Sequence, residues 1–167
     1  KVYLPGFVNV DIFSSVKADV YSDMTALPYA RETFDLIYAS HVLEHCHRHM
    51  VYATLSHWRD LLKNGGILRL AVPDFESVAI RYTAIGNLTE LMGLLYGGQN
   101  HPKNYHCVAF DETTLSEALE KVGFRSVSEW DYLEVEHSKF DDYSQCFLPH
   151  MDKENGMLMS LNLEAVK

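Results

Sequence analysis

The sequence predicts an α/β domain on a mostly parallel sheet that ends in antiparallel strands, and three observations carry this. Residues 34–40 (FDLIYAS) and 67–72 (ILRLAV) are short, largely apolar runs without clean alternation. Such runs suit central parallel strands covered on both faces. Between them, residues 48–63 place Val51, Leu55, Trp58 and Leu62 at helical spacing, and Asn64-Gly65-Gly66 closes the pattern. Strand, helix and strand make a βαβ unit, so the two runs should be adjacent and parallel. Finally, residues 156–167 have strict period two. Met157, Met159, Leu161, Leu163 and Ala165 share one face, with Ser160, Asn162 and Glu164 on the other. That pattern predicts an antiparallel pair with one wetter face.

The remaining elements follow in order. Residues 7–12 (FVNVDI) alternate Val8, Val10 and Ile12 with Asn9 and Asp11, as a short strand ending in a carboxylate does. A second short segment, residues 18–20, precedes Asp23. Residues 74–96 read as two helical stretches split near Gly86-Asn87, and residues 97–107 as a polar loop carrying Gly and His. Thr114 and Glu117 suggest a capping box for a helix that buries Leu115, Ala118, Leu119 and Val122 and stops at Gly123. Residues 124–135 hold one strand or two.

Length and charge narrow the function. The 167 residues suit a single domain spanning 1–167. Lys plus Arg total 14 and Asp plus Glu 23, a net charge of −9. Duplex nucleic acid and anionic membrane both demand clustered positive charge and are not expected as partners. Cys46, Cys107 and Cys146 are far apart and form no CxxC pair. That speaks against a disulfide framework and for a reducing, cytoplasmic setting.

Open α/β sheets bind ligands at the carboxyl ends of parallel strands. Asp11, Asp23, Ser40-His41 and Pro73-Asp74 fall at those ends. A carboxylate there can accept both hydroxyls of a ribose, although Asp is also an ordinary turn residue. The segment from Ser40 to His49 is dense in imidazole, and His41, Glu44 and His45 match HxxEH. On a helix His41 and His45 would share a face, as in metal hydrolases. His45, His47 and His49 alternate and cannot all share that face. The segment is therefore expected to hold no structural metal.

These residues carry a family resemblance. Residues 34–45 (FDLIYASHVLEH) resemble the fourth-strand signature of class I S-adenosylmethionine-dependent methyltransferases. Residues 61–68 (LLKNGGIL) resemble that family's turn into the fifth strand, with Asn64 where proline is usual. Residues 23–29 (DMTALPY) are similar to its adenine-side loop, and residues 7–11 to its second strand. The resemblance implies a Rossmann-like methyltransferase sheet flanked by helices, with S-adenosylmethionine as cofactor and a small-molecule methyl acceptor. It implies that Asp11, with Ile12 beside it, holds the ribose. Asp23 and Met24 would flank the adenine, and Ala39, Ser40 and His41 would border the methionine end. His45, His101 and His106 would be the candidate bases, His45 and His106 foremost. The segments at residues 97–99, 122–124 and 160–162 look like a subgroup found with polysaccharide and glycosylation enzymes, so a sugar is the acceptor to expect.

The family's Gly-rich loop has no counterpart, because no GxG occurs and the chain begins at Lys1. The resemblance would place the family's first strand, at the sheet centre, before that residue. The expectation is an N-terminally truncated domain that binds S-adenosylmethionine weakly or not at all. The slot left beside residues 34–40 should close by direct pairing with residues 7–12, by folding back residues 1–4, or by edge pairing in a homo-oligomer. Two rival readings stand beside methyl transfer: a non-catalytic binding module on the same fold, and a metal hydrolase using His41, Glu44 and His45.

Overall fold

The computed structural model describes residues 2–167. Its centre is a four-stranded sheet of β3 (Phe34–Ser40), β4 (Leu62–Pro73), β8 (Ser160–Val166) and β5 (Arg125–Glu129), hydrogen-bonded in that order. β3 and β4 run parallel and are joined by α1 (Val51–Leu61), as the βαβ pattern predicts. Two short parallel strands, β1 (Val10–Asp11) and β2 (Val20–Tyr21), form a sheet of their own. The other elements are α2 (Phe75–Ile85), α3 (Met92–Tyr96) and α4 (Glu112–Lys121), and an antiparallel pair of β6 (Phe147–Leu148) and β7 (Met157–Leu158).

Sheet geometry decides what is buried. Ile37, Leu68 and Ala165 lie in one row across the sheet, and Ala39, Leu70 and Leu163 in the next of the same face. This face meets Leu55 and Trp58 of α1 and Leu115, Ala118 and Leu119 of α4, making the main core. The opposite face carries the row Tyr38, Arg69 and Glu164. It is covered by the chain between β5 and β6. His137 stacks on Tyr38 with ring centroids 4.0 Å apart, Trp130 donates to the Leu70 carbonyl at 2.8 Å, and Asn162 donates to the Ser144 carbonyl at 2.9 Å.

Several boundaries differ from the sequence reading, each for a local reason. The strand expected over residues 7–12 shrinks to Val10–Asp11. The Asn9 side chain accepts from the Leu4 amide and donates to the Leu4 and Phe7 carbonyls, which curls the chain into a side-chain-bonded turn. The cap of α4 is Asp111, not Thr114. Asp111 accepts from the Thr114 amide at 2.8 Å, and Thr114 supplies the reciprocal arm of the box. β4 starts five residues early, with a register shift opposite residues 34–36 that absorbs the turn at Gly65. The C-terminal alternation breaks at Met159, and β8 lies inside the sheet, antiparallel to β4 and β5. Its polar face is therefore not wet, and Ser160 and Asn162 are both buried.

Neither of the two intramolecular pairings expected beside β3 is seen among the described residues, and Lys1 lies outside them. Among the described residues β1 pairs only with β2, residues 2–4 form no strand, and no strand pairs with the outer edge of β3. β1 is held to β2 through the Asn9 carbonyl, which accepts from the Asp19 and Val20 amides.

Candidate functional site

Each parallel strand delivers its last residue to one rim. β1 ends at Asp11, whose carboxylate accepts the Phe13 amide at 2.8 Å in a tight Asx turn. Ile12 beside it is exposed. Beyond β2, Asp23 accepts the Thr25 amide at 3.0 Å and the Thr25 hydroxyl at 2.7 Å. Those bonds from Thr25, with the Lys103 ammonium 3.5 Å away, hold the Asp23 carboxyl below its usual range. Met24 packs against the main core, and its carbonyl accepts from the Trp58 indole at 2.8 Å.

β3 ends at Ser40. Ala39 points its methyl into the helix-side core, so only its backbone borders the rim. The Ser40 hydroxyl is buried and has no hydrogen-bond partner. His41 takes a left-handed backbone, φ 50°, and turns the chain into a 3-10 turn over Leu43–His45. The α-helix assumed in reading HxxEH is therefore absent, and the shared-face argument for His41 and His45 does not apply. His47 and His49 are exposed, and Cys46 points away onto the Thr54 hydroxyl at 3.3 Å.

That turn buries Glu44, which is 1% exposed, and neither carboxylate oxygen has a hydrogen-bond partner. Oε1 lies 3.5 Å from Nδ1 of His41 and 3.9 Å from Nε2 of His106. Burial pushes the Glu44 carboxyl up to about 8. Burial, reinforced by His106, pushes His41 down to about 3, and burial likewise lowers His106. All three groups favour their neutral forms at neutral pH. His45 meets His106 edge-on with centroids 4.8 Å apart. The ligand atoms of Glu44, His45 and His106 lie within 4.8 Å of one another.

The loop over residues 97–107 draws the rim together. His101 packs on Phe13 at 4.2 Å, Lys103 reaches Asp23, the Tyr105 carbonyl accepts from Nδ1 of His45 at 3.1 Å, and the Cys107 amide donates to the Glu44 carbonyl at 2.7 Å.

 A carbonyl only accepts, so Nδ1 of His45 carries the hydrogen in that contact. Gly97 makes the approach feasible. Its φ is 73°, and a Cβ there would lie 2.6 Å from the Asn104 carbonyl oxygen and 3.0 Å from the His106 ring.

Of the residues read from the sequence, Asp11, Ile12, Asp23, Met24, Ala39, Ser40 and His41 lie at or beside the strand ends. His45 and His106 meet across 61 positions of sequence. His101 sits over Phe13, on the Asp11 side of the rim, and not in the Glu44 cluster. Sequence reasoning missed Lys103, Asp142 and Tyr143. Asp142 accepts the Tyr38 hydroxyl at 2.7 Å, and the Tyr143 ring lies 5.3 Å from His41. No spacing or motif marks these contacts. The fold of the residue 97–107 loop brings in Lys103, and the fold of the segment between β5 and β6 brings in Asp142 and Tyr143.

Parallel strands carrying a polar rim at their carboxyl ends, beside an antiparallel strand inserted in the sheet, define the class I methyltransferase architecture. Residues 4–129 match the family model described as a methyltransferase domain, and the chain belongs to that family of S-adenosylmethionine-dependent enzymes. Solved structures share the fold. A SAM-dependent methyltransferase from Archaeoglobus fulgidus aligns with TM-score 0.57 and 17% identity over 95% of this chain and 74% of its own. One from Mesorhizobium loti aligns with TM-score 0.55 and 16% identity over 95% and 78%. The 1,6-didemethyltoxoflavin-N1-methyltransferase of Burkholderia thailandensis, solved with S-adenosylhomocysteine, aligns with TM-score 0.54 and 16% identity over 95% and 59%. No curated protein matches the sequence. Among the described residues no helix is long and apolar enough to cross a membrane.

Proposed function

We propose that this protein transfers a methyl group from S-adenosylmethionine to a small molecule, with a sugar hydroxyl as the acceptor class. The observation that carries the reading is the convergence of Asp11, Asp23, Ser40 and the Glu44–His45–His106 cluster on one rim, bridged by a single loop. Three residues at or beside the strand ends suit parts of the cofactor, although the Gly-rich loop that would cradle it has no counterpart in this sequence. Asp11 presents a carboxylate suited to a ribose diol, Met24 lies on the apolar side suited to adenine, and Ser40 offers a buried, unpartnered hydroxyl to the polar methionine end.

When bound, S-adenosylmethionine supplies a methyl on a sulfonium, whose S–C bond breaks with the pair left on sulfur as the acceptor forms the new bond. The chain's task is to orient the acceptor in line and to take its proton. His106 donates Nδ1–H to the Leu94 carbonyl at 2.8 Å, which leaves the lone pair on Nε2, facing Glu44. A neutral imidazole is the form that accepts a proton, and burial keeps it neutral. The acidic net charge supports a small neutral or cationic acceptor over nucleic acid.

The test is transfer of labelled methyl from S-adenosylmethionine to a panel of sugars, phenols and amines. His106→Ala should lower turnover by roughly 10²–10⁴, the range for loss of a positioned base. Binding of S-adenosylhomocysteine without transfer to any acceptor would favour the binding-module reading. Unchanged turnover in His106→Ala would remove the cluster from the chemistry.

A further inference from the structure

We propose that Glu44, His45 and His106 hold a divalent transition-metal ion at the rim. The argument begins with Glu44. Its carboxyl group is 1% exposed and neither oxygen has a hydrogen-bond partner, an arrangement that is costly for the ionised form unless something compensates it. Among the described residues no Lys or Arg forms an ion pair with it; the groups beside Oε1 are two imidazoles, His41 and His106. A cation bound between the carboxylate and imidazole nitrogens supplies the missing partner.

The imidazoles are arranged as ligands are. Protein imidazoles that bind metal give their second ring N–H to a carbonyl or carboxylate, which fixes the tautomer and the ring. Here Nδ1 of His106 is 2.8 Å from the Leu94 carbonyl, and Nδ1 of His45 is 3.1 Å from the Tyr105 carbonyl. Both contacts direct the Nε2 lone pair to ligation. Two imidazoles and one carboxylate suit zinc, iron, cobalt or nickel better than magnesium or calcium. Donors at about 2.0–2.2 Å from one ion stand roughly 3–4 Å apart. The ligand atoms already lie within 4.8 Å of one another, and ligation requires them to draw together, with both imidazoles partly exposed and Glu44 buried. Three protein donors leave open positions for water or an acceptor hydroxyl, as catalytic sites do. His41, 3.5 Å from the same Oε1, orients the carboxyl group and is not required as a ligand.

This rests on the functional reading only for the acceptor, and it replaces His106 as the proton acceptor of that reading. With an ion bound, the imidazoles act as ligands, and the acceptor hydroxyl is acidified by coordination, its proton passing to solvent. The proposal departs from the expectation that the His-rich segment holds no metal. That expectation concerned one helix face, whereas the third donor arrives from a loop 61 positions away.

The experiment is calorimetric titration of the tag-free, chelator-treated protein with Zn²⁺ alone, repeated with Co²⁺ to read its visible absorption. One ion per chain should bind. Glu44→Gln, His45→Ala and His106→Ala should each weaken binding by more than the roughly 10–100-fold that loss of an outer-sphere partner costs. His47→Ala/His49→Ala, which removes exposed imidazoles, should leave it unchanged. If Glu44→Gln fails to fold, the partly exposed His45→Ala still decides. No stoichiometric binding, or binding lost in His47→Ala/His49→Ala and kept in His45→Ala, overturns the proposal. Ion binding without methyl transfer would leave the site standing and sink the reading of the acceptor.

Discussion

Arg69 is the side chain whose removal the structure prices most directly. It lies in the middle of β4, 7% exposed, and its Nε donates to Glu164 at 3.0 Å while NH1 donates to Glu136 at 2.8 Å. The guanidinium also stands 5.5 Å from the Trp130 ring centroid. The two ion pairs differ in worth. The Glu136 side chain is 69% exposed, so solvent screening limits that pair to about 0.2–1 kcal/mol. The Glu164 side chain is 27% exposed and faces Arg69 directly across the strands, so it falls near the lower end of the roughly 1.5–3 kcal/mol for charged hydrogen bonds. Loss of the aliphatic stem adds packing against Trp130. Arg69→Ala should therefore cost about 2–4 kcal/mol, or roughly 4–16 °C in Tm for a chain of this size. Arg69→Met, which keeps the stem, should cost about half as much, and Glu136→Gln less than about 1 kcal/mol. Urea unfolding followed by circular dichroism reads all three through the midpoint at constant slope. Amide exchange should also quicken over residues 131–142, since Arg69 ties that segment to the sheet through Glu136. An Arg69→Ala midpoint indistinguishable from wild type, or Glu136→Gln costing more than Arg69→Ala, would refute the assignment of the stronger pair to Glu164.

Other predictions follow from the same contacts. Asp11→Ala should weaken S-adenosylhomocysteine by about 1.5–3 kcal/mol, roughly 10–150-fold, in calorimetry; an unchanged Kd removes Asp11 from the ribose. Asp111→Ala should lose about 1 kcal/mol in thermal unfolding, because it caps α4. Burial and the Arg69 charge lower the His137 imidazole, while Asp142 and Glu136 pull the other way. Below the unfolded-state value near 6.5, the unfolded chain takes up a proton that the folded chain resists, so stability should fall as pH drops from about 7. His137→Phe should remove its share of that acid limb and leave the shares of His41 and His106, and an unaltered pH profile would contradict it. Trp58→Phe leaves the Met24 carbonyl without its indole donor and should cost about 1–3 kcal/mol in equilibrium unfolding.

Local chemistry explains why some elements were legible and others were not. β3 matches residues 34–40 end to end, and α1 and β4 follow from apolar spacing, because β4 is buried on both faces from Leu68 to Pro73, β3 is largely covered beside it, and the pattern reports that burial. Residues 7–12 alternate equally well, yet Val8 is 51% exposed and the run pairs over two residues only. There the Asn9 side chain outcompetes the ladder, a contest that alternation cannot register. The strand ends placed Asp11, Asp23 and Ser40 on the rim. The meaning of Glu44 depended on burial under a loop that arrives much later in the chain. His41 and Glu44 stood out in sequence through a helical motif, and the structure keeps their proximity while discarding the helix.

The position of β8 has a consequence for how the protein is made. β4 exposes one edge to a strand that lies roughly 90 residues further along the chain. At ribosomal rates of about 5–20 residues per second, that edge waits on the order of 4–18 s for its partner. During the wait the nascent βαβ unit presents Leu68, Leu70 and Val72 beside an unfilled ladder, the kind of surface that recruits strands from other chains. Chaperone shielding during synthesis, and a strong dependence of yield on expression temperature, are what this ordering of strands demands of the cell.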